Sequence, residues 1–225
     1  MDSSKSLKDL QLAFVGKLLA GYSHESKNHL AIIKELSGLM DDLLSMENQG
    51  EDRGRQRYHE IMATLRDRAT QAAFRVGHLS RFAHRMDEPR TSFNVNDILE
   101  EELSLLGWKA KQKEIRLEAF FADNQLPSIY NNPSLLQYVV FCIVVDCFER
   151  FEAKSCIQVS TISKGQSVCI ELSCSGSWKS GNGKRGSLVL SSMLGDALSE
   201  LGAGLSATVD ENGKACFSVT LSSLV

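Results

Sequence analysis

The sequence lacks any apolar run long enough to cross a membrane. The longest such run, YVVFCIVVDCF, is interrupted by Asp146 and is shorter than the roughly 20 residues that a transmembrane helix needs. The N-terminal segment MDSSKSLKDLQLAFVGKLLAGYSHES also lacks the basic stretch and apolar core of a signal peptide. These absences predict a cytoplasmic protein that does not associate with membranes.

An excess of basic residues is absent as well. With 25 Lys and Arg against 28 Asp and Glu, the formal net charge is −3, so the chain lacks the basic balance that favours nucleic-acid binding. The one basic cluster, EDRGRQRYHEIMATLRDR, is interleaved with acidic residues, which is typical of a solvated helix face. We therefore expect no nucleic-acid partner.

The cysteines lack the close spacing of metal or disulfide sites. All six are dispersed through apolar segments, with no CxxC pair: Cys142, Cys147, Cys156, Cys169, Cys174 and Cys216. This distribution is typical of reduced cysteines that pack as small apolar side chains. It predicts neither a disulfide framework nor a zinc site.

The first half of the chain contains a regular helical pattern. Apolar residues recur every three or four positions over residues 7–44 and again over residues 55–86, with the turn-forming segment SMENQGEDRG between them. The spacing predicts two long antiparallel helices, and their seam comprises Val15, Leu18, Tyr22, Ile33, Leu36, Met40 and Leu43 with Ile61, Leu65, Ala69, Ala72, Val76, Leu79 and Ala83. Because two helices cannot bury this seam alone, we expect a homodimeric four-helix bundle; the alternative is packing onto the second half of the same chain.

The second half has an irregular mixture of helical and strand patterns. Helices are predicted over residues 96–113, 133–151 and 187–201, and strands at IRLEAFF, SCIQVSTIS and QSVCIELSC. A final β-hairpin is predicted around Asn212 and Gly213. The expected fold class is α+β, with a helical hairpin domain at residues 1–89 and a mixed-sheet α/β sandwich at residues 90–225.

The segment GYSHESKNHLAI places a histidine on the exposed side of the first helix. His24 is turned about 200° from the seam residue Tyr22, and Asn28 lies one turn further on, only about 40° from His24. A zinc-protease motif would need a second histidine where Asn28 stands. An ordinary solvated histidine is an alternative, but it does not account for Glu25 and Asn28 together.

A phosphoryl-accepting imidazole accounts for all three residues. A ring nitrogen of His24 would attack phosphorus, Glu25 would hydrogen-bond to the ring or take its proton, and Asn28 would orient water or the phosphoryl group. The nearby small side chains would let a partner approach closely. The candidate partner-binding residues are Gly21, Lys27, Ala31 and Gly38.

These residues carry a family resemblance. SHESKNHLAII resembles the H-box of the dimerisation and phosphotransfer domain of sensor histidine kinases, with His24, Glu25, Asn28 and Leu30 matching and His29 in place of the usual proline. FNVNDILEEELSLL resembles the linker and first helix of the kinase ATP-binding domain, and NNPSLLQYVVFCIVVDCF resembles the helix that carries its N-box. The resemblance therefore extends over nearly the whole chain.

The ATP-binding boxes depart from the family pattern. Cys142 and Asp146 stand at the positions of N-box asparagines, and SCSGSWKS has Cys174 in place of the adenine-binding aspartate and Trp178 in place of a glycine. SLVLS stands at the last glycine box of the family, and Ser187 and Val189 replace the two glycines of that box. GNGKRG formally fits a phosphate-binding loop, but a flexible connection is the favoured interpretation.

The resemblance and its departures together imply a histidine phosphotransfer protein of a two-component phosphorelay, derived from a histidine kinase. His24 would exchange a phosphoryl group with the aspartate of a response regulator receiver domain, which would supply Mg²⁺, and the chain itself would need no cofactor. An upstream hybrid histidine kinase is a further possible partner, and autokinase activity is not expected. The alternatives are a pseudokinase module that binds a response regulator or a true kinase, and an active histidine kinase with a divergent nucleotide pocket.

Overall fold

A computed structural model describes residues 7–46, 53–121, 126–179, 192–211 and 213–224. The chain begins with two long helices, α1 (Leu7–Met46) and α2 (Arg53–His84). Of the seam residues, Leu18 on α1 and Ile61 on α2 are buried. Tyr22, Leu36 and Leu65 are half-buried. The three- and four-residue apolar spacing therefore produces the expected helical hairpin.

The remaining chain forms an α+β domain with one main sheet. Its elements are β1 (Thr91–Phe93), α3 (Val95–Gln112), β2 (Arg116–Phe120), β3 (Ile129–Asn131), α4 (Pro133–Arg150), β4 (Cys156–Lys164), β5 (Ser167–Ser175), α5 (Ser192–Glu200), β6 (Gly204–Val209) and β7 (Ala215–Ser222). The sheet order is β2-β4-β5-β7-β6, with β2 parallel to β4 and all other neighbours antiparallel. This arrangement confirms the predicted fold class.

Side-chain capping explains where the helices of this domain begin. The Asn94 side chain accepts a hydrogen bond from the Asn96 amide at the start of α3. At the start of α4, Asn132 accepts one from the Leu135 amide, and Pro133 occupies the first turn. Both asparagines satisfy amides that have no partner inside the helix.

Alternation along the central strands buries one face of the sheet. On β7, Ala215, Phe217, Val219 and Leu221 are fully buried, whereas the residues between them are partly exposed. Helices α3, α4 and α5 contribute buried residues to the same apolar core. The core therefore lies between one sheet face and a helical layer.

The hairpin also packs against the second half of its own chain. Phe14 on α1 contacts Tyr138 and Phe141 on α4, with ring centroids 5.8 Å and 4.7 Å away. Glu101 on α3 accepts hydrogen bonds from Arg81 and Arg85 at the end of α2. The alternative of packing within one chain is therefore realised at this end of the hairpin, and a second copy can still bind elsewhere on it.

Two elements were not predicted from the sequence. Strands β1 and β3 pair antiparallel as a separate small sheet. Each has only three residues, which is too short to show an alternating pattern. The other differences are shifts of element ends, and the predicted start of the last helix, residues 187–191, lies outside the described residues.

Candidate functional site

The His24 side chain is exposed on α1, as its position relative to the seam predicts. Asn28 is also exposed, and its Nδ2 lies 3.5 Å from Nδ1 of His24. Because these residues are one helical turn apart, α1 alone sets their relative position. The contact is on the Nδ1 edge of the ring, and which atom donates in it depends on the imidazole tautomer.

Glu25 forms an ion pair with a residue of α2 and not with the imidazole of His24. Its carboxylate forms an ion pair with the Arg75 guanidinium, and both side chains are largely buried. Burial lowers the pKa of Arg75, an effect partly opposed by nearby Tyr22. The expected role of Glu25 as a hydrogen-bond partner of His24 is therefore replaced in this structure by pairing with Arg75.

His29 lies on the opposite side of α1 from the candidate site. It is 8% exposed, and its Nδ1 has no hydrogen-bond partner among the described residues. On an ideal helix His29 is turned about 140° from His24. His29 therefore belongs to the hairpin interior and does not contact the site.

A cleft of about 390 Å³ lies beside His24, between α1 and the last turns of α3. One wall comes from α1 and the other from α3; the lining residues are Ala20, Gly21, His24, Glu25, Asn28, Trp108, Lys111 and Gln112. We call this space the His24 cleft. The C-terminal domain thus supplies one of the two walls beside the exposed imidazole.

Gly21 is the point where α3 meets α1. A Cβ atom at Gly21 would lie only 2.0 Å from Cε2 and Nε1 of Trp108, so no larger residue fits under the indole. Gly21, a candidate partner-binding residue, is accordingly buried beneath Trp108 in this structure. The absence of a side chain at Gly21 permits contact with the chain's own tryptophan.

The other candidate partner-binding residues stay accessible. Ala31 and Gly38 line a shallow groove of about 590 Å³ further along α1, together with Lys34, Glu35, Leu39 and Asp42. Lys27 is exposed on the same helix. We call this hollow the α1 groove; it begins about two helical turns beyond His24.

Trp108, Lys111, Gln112 and Arg75 were not identified from the sequence. Arg75 follows Glu25 by 50 positions, and the three α3 residues belong to a different domain. The only local signal was Gly21, whose missing side chain allows close approach. The identity of the approaching residue depends on tertiary packing.

Cys174, at the kinase-like adenine position, lies in the domain core, and Trp178, at a kinase-like glycine position, packs against that core. Cys174 is fully buried, and its Sγ donates a hydrogen bond to Sγ of Cys147 at 2.9 Å. The Trp178 indole lies 4.7 Å from the Phe151 ring and donates to the Gly213 carbonyl at 2.6 Å. The thiol of Cys174 and the indole N–H of Trp178 therefore both donate hydrogen bonds within the protein.

Of the kinase-like metal and glycine positions, Asp146 is paired within its own helix and Gly176 is retained as glycine. Asp146 accepts a hydrogen bond from Arg150 at 2.6 Å. Burial raises the pKa of Cys142 to about 11. Gly176 has φ +137°, where a side chain would be strained and would collide with Ser155. The segments GNGKRG and SLVLS lie outside the described residues.

No group of three or more His, Cys, Asp or Glu side chains with metal-binding geometry occurs in the described parts of the chain. Within these parts, no helix combines the length and apolar character that a membrane span requires.

Solved structures of histidine kinases share this fold. Two nucleotide-free crystal forms of the catalytic domain of histidine kinase ThkA match 60% of this chain and 97% of their own, with TM-scores of 0.50 and identities of 17% and 16%. Histidine kinase AdeS of Acinetobacter baumannii matches 85% of this chain and 94% of its own, with a TM-score of 0.49 and 11% identity. No protein-family model and no curated protein matches the sequence. The part of the chain that the two ThkA crystal forms match therefore has the fold of a histidine kinase catalytic domain, as the motif resemblance implied.

Proposed function

We propose that this chain is a histidine phosphotransfer protein, which exchanges a phosphoryl group between His24 and receiver-domain aspartates without using ATP. The proposal rests on the exposed imidazole of His24, which lies beside Asn28 in an open cleft. The buried thiol of Cys174 and the packed indole of Trp178 add support. Gamma-phosphoryl transfer from ATP needs bound Mg²⁺ and aligned phosphate donors, and the kinase-like positions for these contacts are altered.

The chemistry needs one nucleophilic ring nitrogen. Nε2 of His24 attacks the phosphorus of a receiver aspartyl phosphate; the P–N bond forms, the P–O bond to the aspartate breaks and the ring proton passes to water. The carboxylate leaves as the regenerated receiver aspartate, and Mg²⁺ is held by the receiver. Asn28 lies against the Nδ1 edge of the ring, so this proposal assigns the reaction to Nε2, in the tautomer that carries the ring proton on Nδ1.

The receiver is proposed to dock along the α1 groove. Ala31 and Gly38 present little side-chain bulk there, and Lys34, Glu35 and Asp42 offer charges at its edges. A docked receiver could contact Lys27 and reach His24 without displacing α3. This surface therefore fits a globular partner whose phosphorylated aspartate projects toward His24.

A homodimer is proposed from an exposed apolar stripe on the other side of the hairpin. Leu12, Leu19, Leu30 and Leu44 are between 43% and 72% exposed and lie within about 40° of one another on an ideal helix. The stripe is turned roughly 120–160° from His24, away from α3. On α2, Met62 and Val76 are also exposed. A second hairpin would cover these residues as a four-helix bundle.

Phosphate labelling from two donors tests the proposed function. We expect no label from ATP and Mg²⁺, and an acid-labile label from phosphorylated receiver domains that His24→Ala abolishes. An upstream hybrid histidine kinase would be a natural source of the phosphorylated receiver. His24-dependent labelling from ATP, in protein free of other kinases, would favour an active kinase with a divergent pocket. Receiver binding without transfer would favour the pseudokinase binding module.

A further inference from the structure

Three lysines at the C-terminal end of α3, the last of them its C-cap residue, point in two directions. Lys109 and Lys113 are four residues apart, and both reach Glu149 of α4, at 3.9 Å and 3.4 Å. Lys111 is turned about 200° from each of them on an ideal helix. It lines the His24 cleft instead. Lys111 is therefore the one of these three lysines that borders the space beside the imidazole.

The charge of Lys111 is not offset by the residues around it. Glu25 is the one carboxylate among the residues that line the cleft, and it is already paired with Arg75. Lys111 has no ion-pair partner within 4.0 Å among the described residues. The His24 cleft therefore has an available positive charge, which suits an anionic ligand.

Packing fixes the wall that carries this lysine. Trp108, one turn before Lys111, lies against the Cα of Gly21. Further back on α3, the buried Glu101 carboxylate is held by Arg81 and Arg85 of α2. Because the two contacts join α3 to both hairpin helices, Lys111 stays beside His24 without a partner protein.

We propose that Lys111 binds the phosphoryl group carried by His24. This inference rests on the proposed phosphotransfer function and extends it to the C-terminal domain, which would then take part in phosphoryl binding. The ammonium donates hydrogen bonds to nonbridging phosphoryl oxygens and offsets the charge that arrives when the P–N bond forms. Lys111 neither forms nor breaks a covalent bond in this step.

The test uses the full chain and phosphoramidate as a small donor that needs no docking surface. Its P–N bond to ammonia breaks as the bond to His24 forms, and ammonia leaves with the ring proton. Lys111→Gln should accept the phosphoryl group about 3- to 10-fold more slowly, a moderate effect because the ammonium is exposed and screened. Lys111→Arg should recover most of the rate, and Lys113→Gln, on the opposite face, should match the wild type.

A second measurement separates phosphoryl binding from a structural role. The ³¹P resonance of the phosphorylated protein should titrate at a higher pH in Lys111→Gln, because a nearby cation favours the dianion. Equal rates and equal titrations in wild type and Lys111→Gln would overturn the Lys111 proposal. Labelling of His24 by phosphoramidate but by no receiver would refute the proposed function. The rates of labelling by phosphoramidate in the wild type and in Lys111→Gln would still decide the Lys111 proposal. No labelling of His24 by either donor would refute both.

Discussion

On the hairpin, His24 and Asn28 face solvent side by side, whereas at the kinase-like positions of the C-terminal domain Cys174 is buried and Asp146 is paired with Arg150. The exposed site depends on the spacing of a few residues along one helix. The nucleotide contacts of a kinase instead need polar side chains that converge from several elements. Such side chains can be replaced by packing residues without loss of the fold, so the proposed phosphoryl acceptance at His24 does not require that the nucleotide contacts be kept.

The largest contrast between the regions should appear in assembly. Leu30→Asp should raise the dimer dissociation constant by at least about 100-fold, because it would bury an unpaired carboxylate in the proposed interface. Leu30 is 62% exposed in the single chain, so the hairpin itself should tolerate the change. Sedimentation velocity over a concentration series measures the effect.

Phe120→Asp provides the matched control for assembly. Phe120 is 57% exposed on β2, in the other domain. This variant should assemble like the wild type. A monomeric wild type at micromolar concentration, or a Leu30→Asp protein that still dimerises normally, would contradict the proposed interface.

The ion pairs of the two regions should differ in their contribution to stability. Arg75→Met leaves the largely buried Glu25 without a partner and should lower the free energy of unfolding by about 2–3 kcal/mol. Arg116→Met breaks the exposed pair with Glu118 and should change the free energy of unfolding far less, because solvent screens this pair. Urea denaturation measures both, and equal losses would refute the distinction. Adding Glu25→Gln to Arg75→Met should restore part of the loss.

A buried carboxyl group on α3 should make stability depend on pH. Glu102 is fully buried with no hydrogen-bond partner among the described residues, and burial, with a smaller effect from Glu101, raises its pKa well above the usual 4.5. Folding favours the protonated form of Glu102. The stabilising contribution of this carboxyl group is therefore complete below pH 4.5 and is lost as pH rises through the raised pKa.

Glu102→Gln should therefore gain stability relative to the wild type as pH rises. We expect a relative gain of about 1–2 kcal/mol between pH 5 and pH 8, since the amide has no charge to bury. Denaturant titrations at both pH values measure it. The exposed Glu152→Gln serves as the control, and an equal pH dependence in wild type and Glu102→Gln would contradict the assignment.

The smallest expected effect concerns the α1 groove. Ala31→Arg should slow phosphotransfer from a receiver about tenfold by blocking close approach, and should leave the melting temperature unchanged because Ala31 is exposed. Ala207→Arg, on the exposed side of β6, should have no effect on transfer. Normal transfer by Ala31→Arg would mean that the receiver docks elsewhere.

The hairpin and the main sheet were predictable because their patterns repeat over many residues. The seam spacing located α1 and α2, and alternation located β4 and β5. The exposure of His24 followed from its angle to Tyr22 on the same helix. Such features depend on local periodicity, which the sequence displays directly.

Contacts between distant segments were not predictable in this way. No periodicity relates Gly21 to Trp108 or Glu25 to Arg75, since each pair meets only when separate elements have packed. The three-residue strand β1 gains its partner β3 through the same tertiary arrangement. The interactions that complete the His24 cleft therefore appear only in the folded structure.

The two tryptophans of the chain are natural optical probes for two places on the C-terminal domain. Trp108 borders the His24 cleft, whereas the Trp178 indole donates to the Gly213 carbonyl in the C-terminal domain. Replacing one of them by phenylalanine leaves an emission spectrum that belongs to the other alone. A protein that keeps only Trp108 thus follows events beside the imidazole in real time without an attached dye, and one that keeps only Trp178 reports whether the kinase-like positions respond to them.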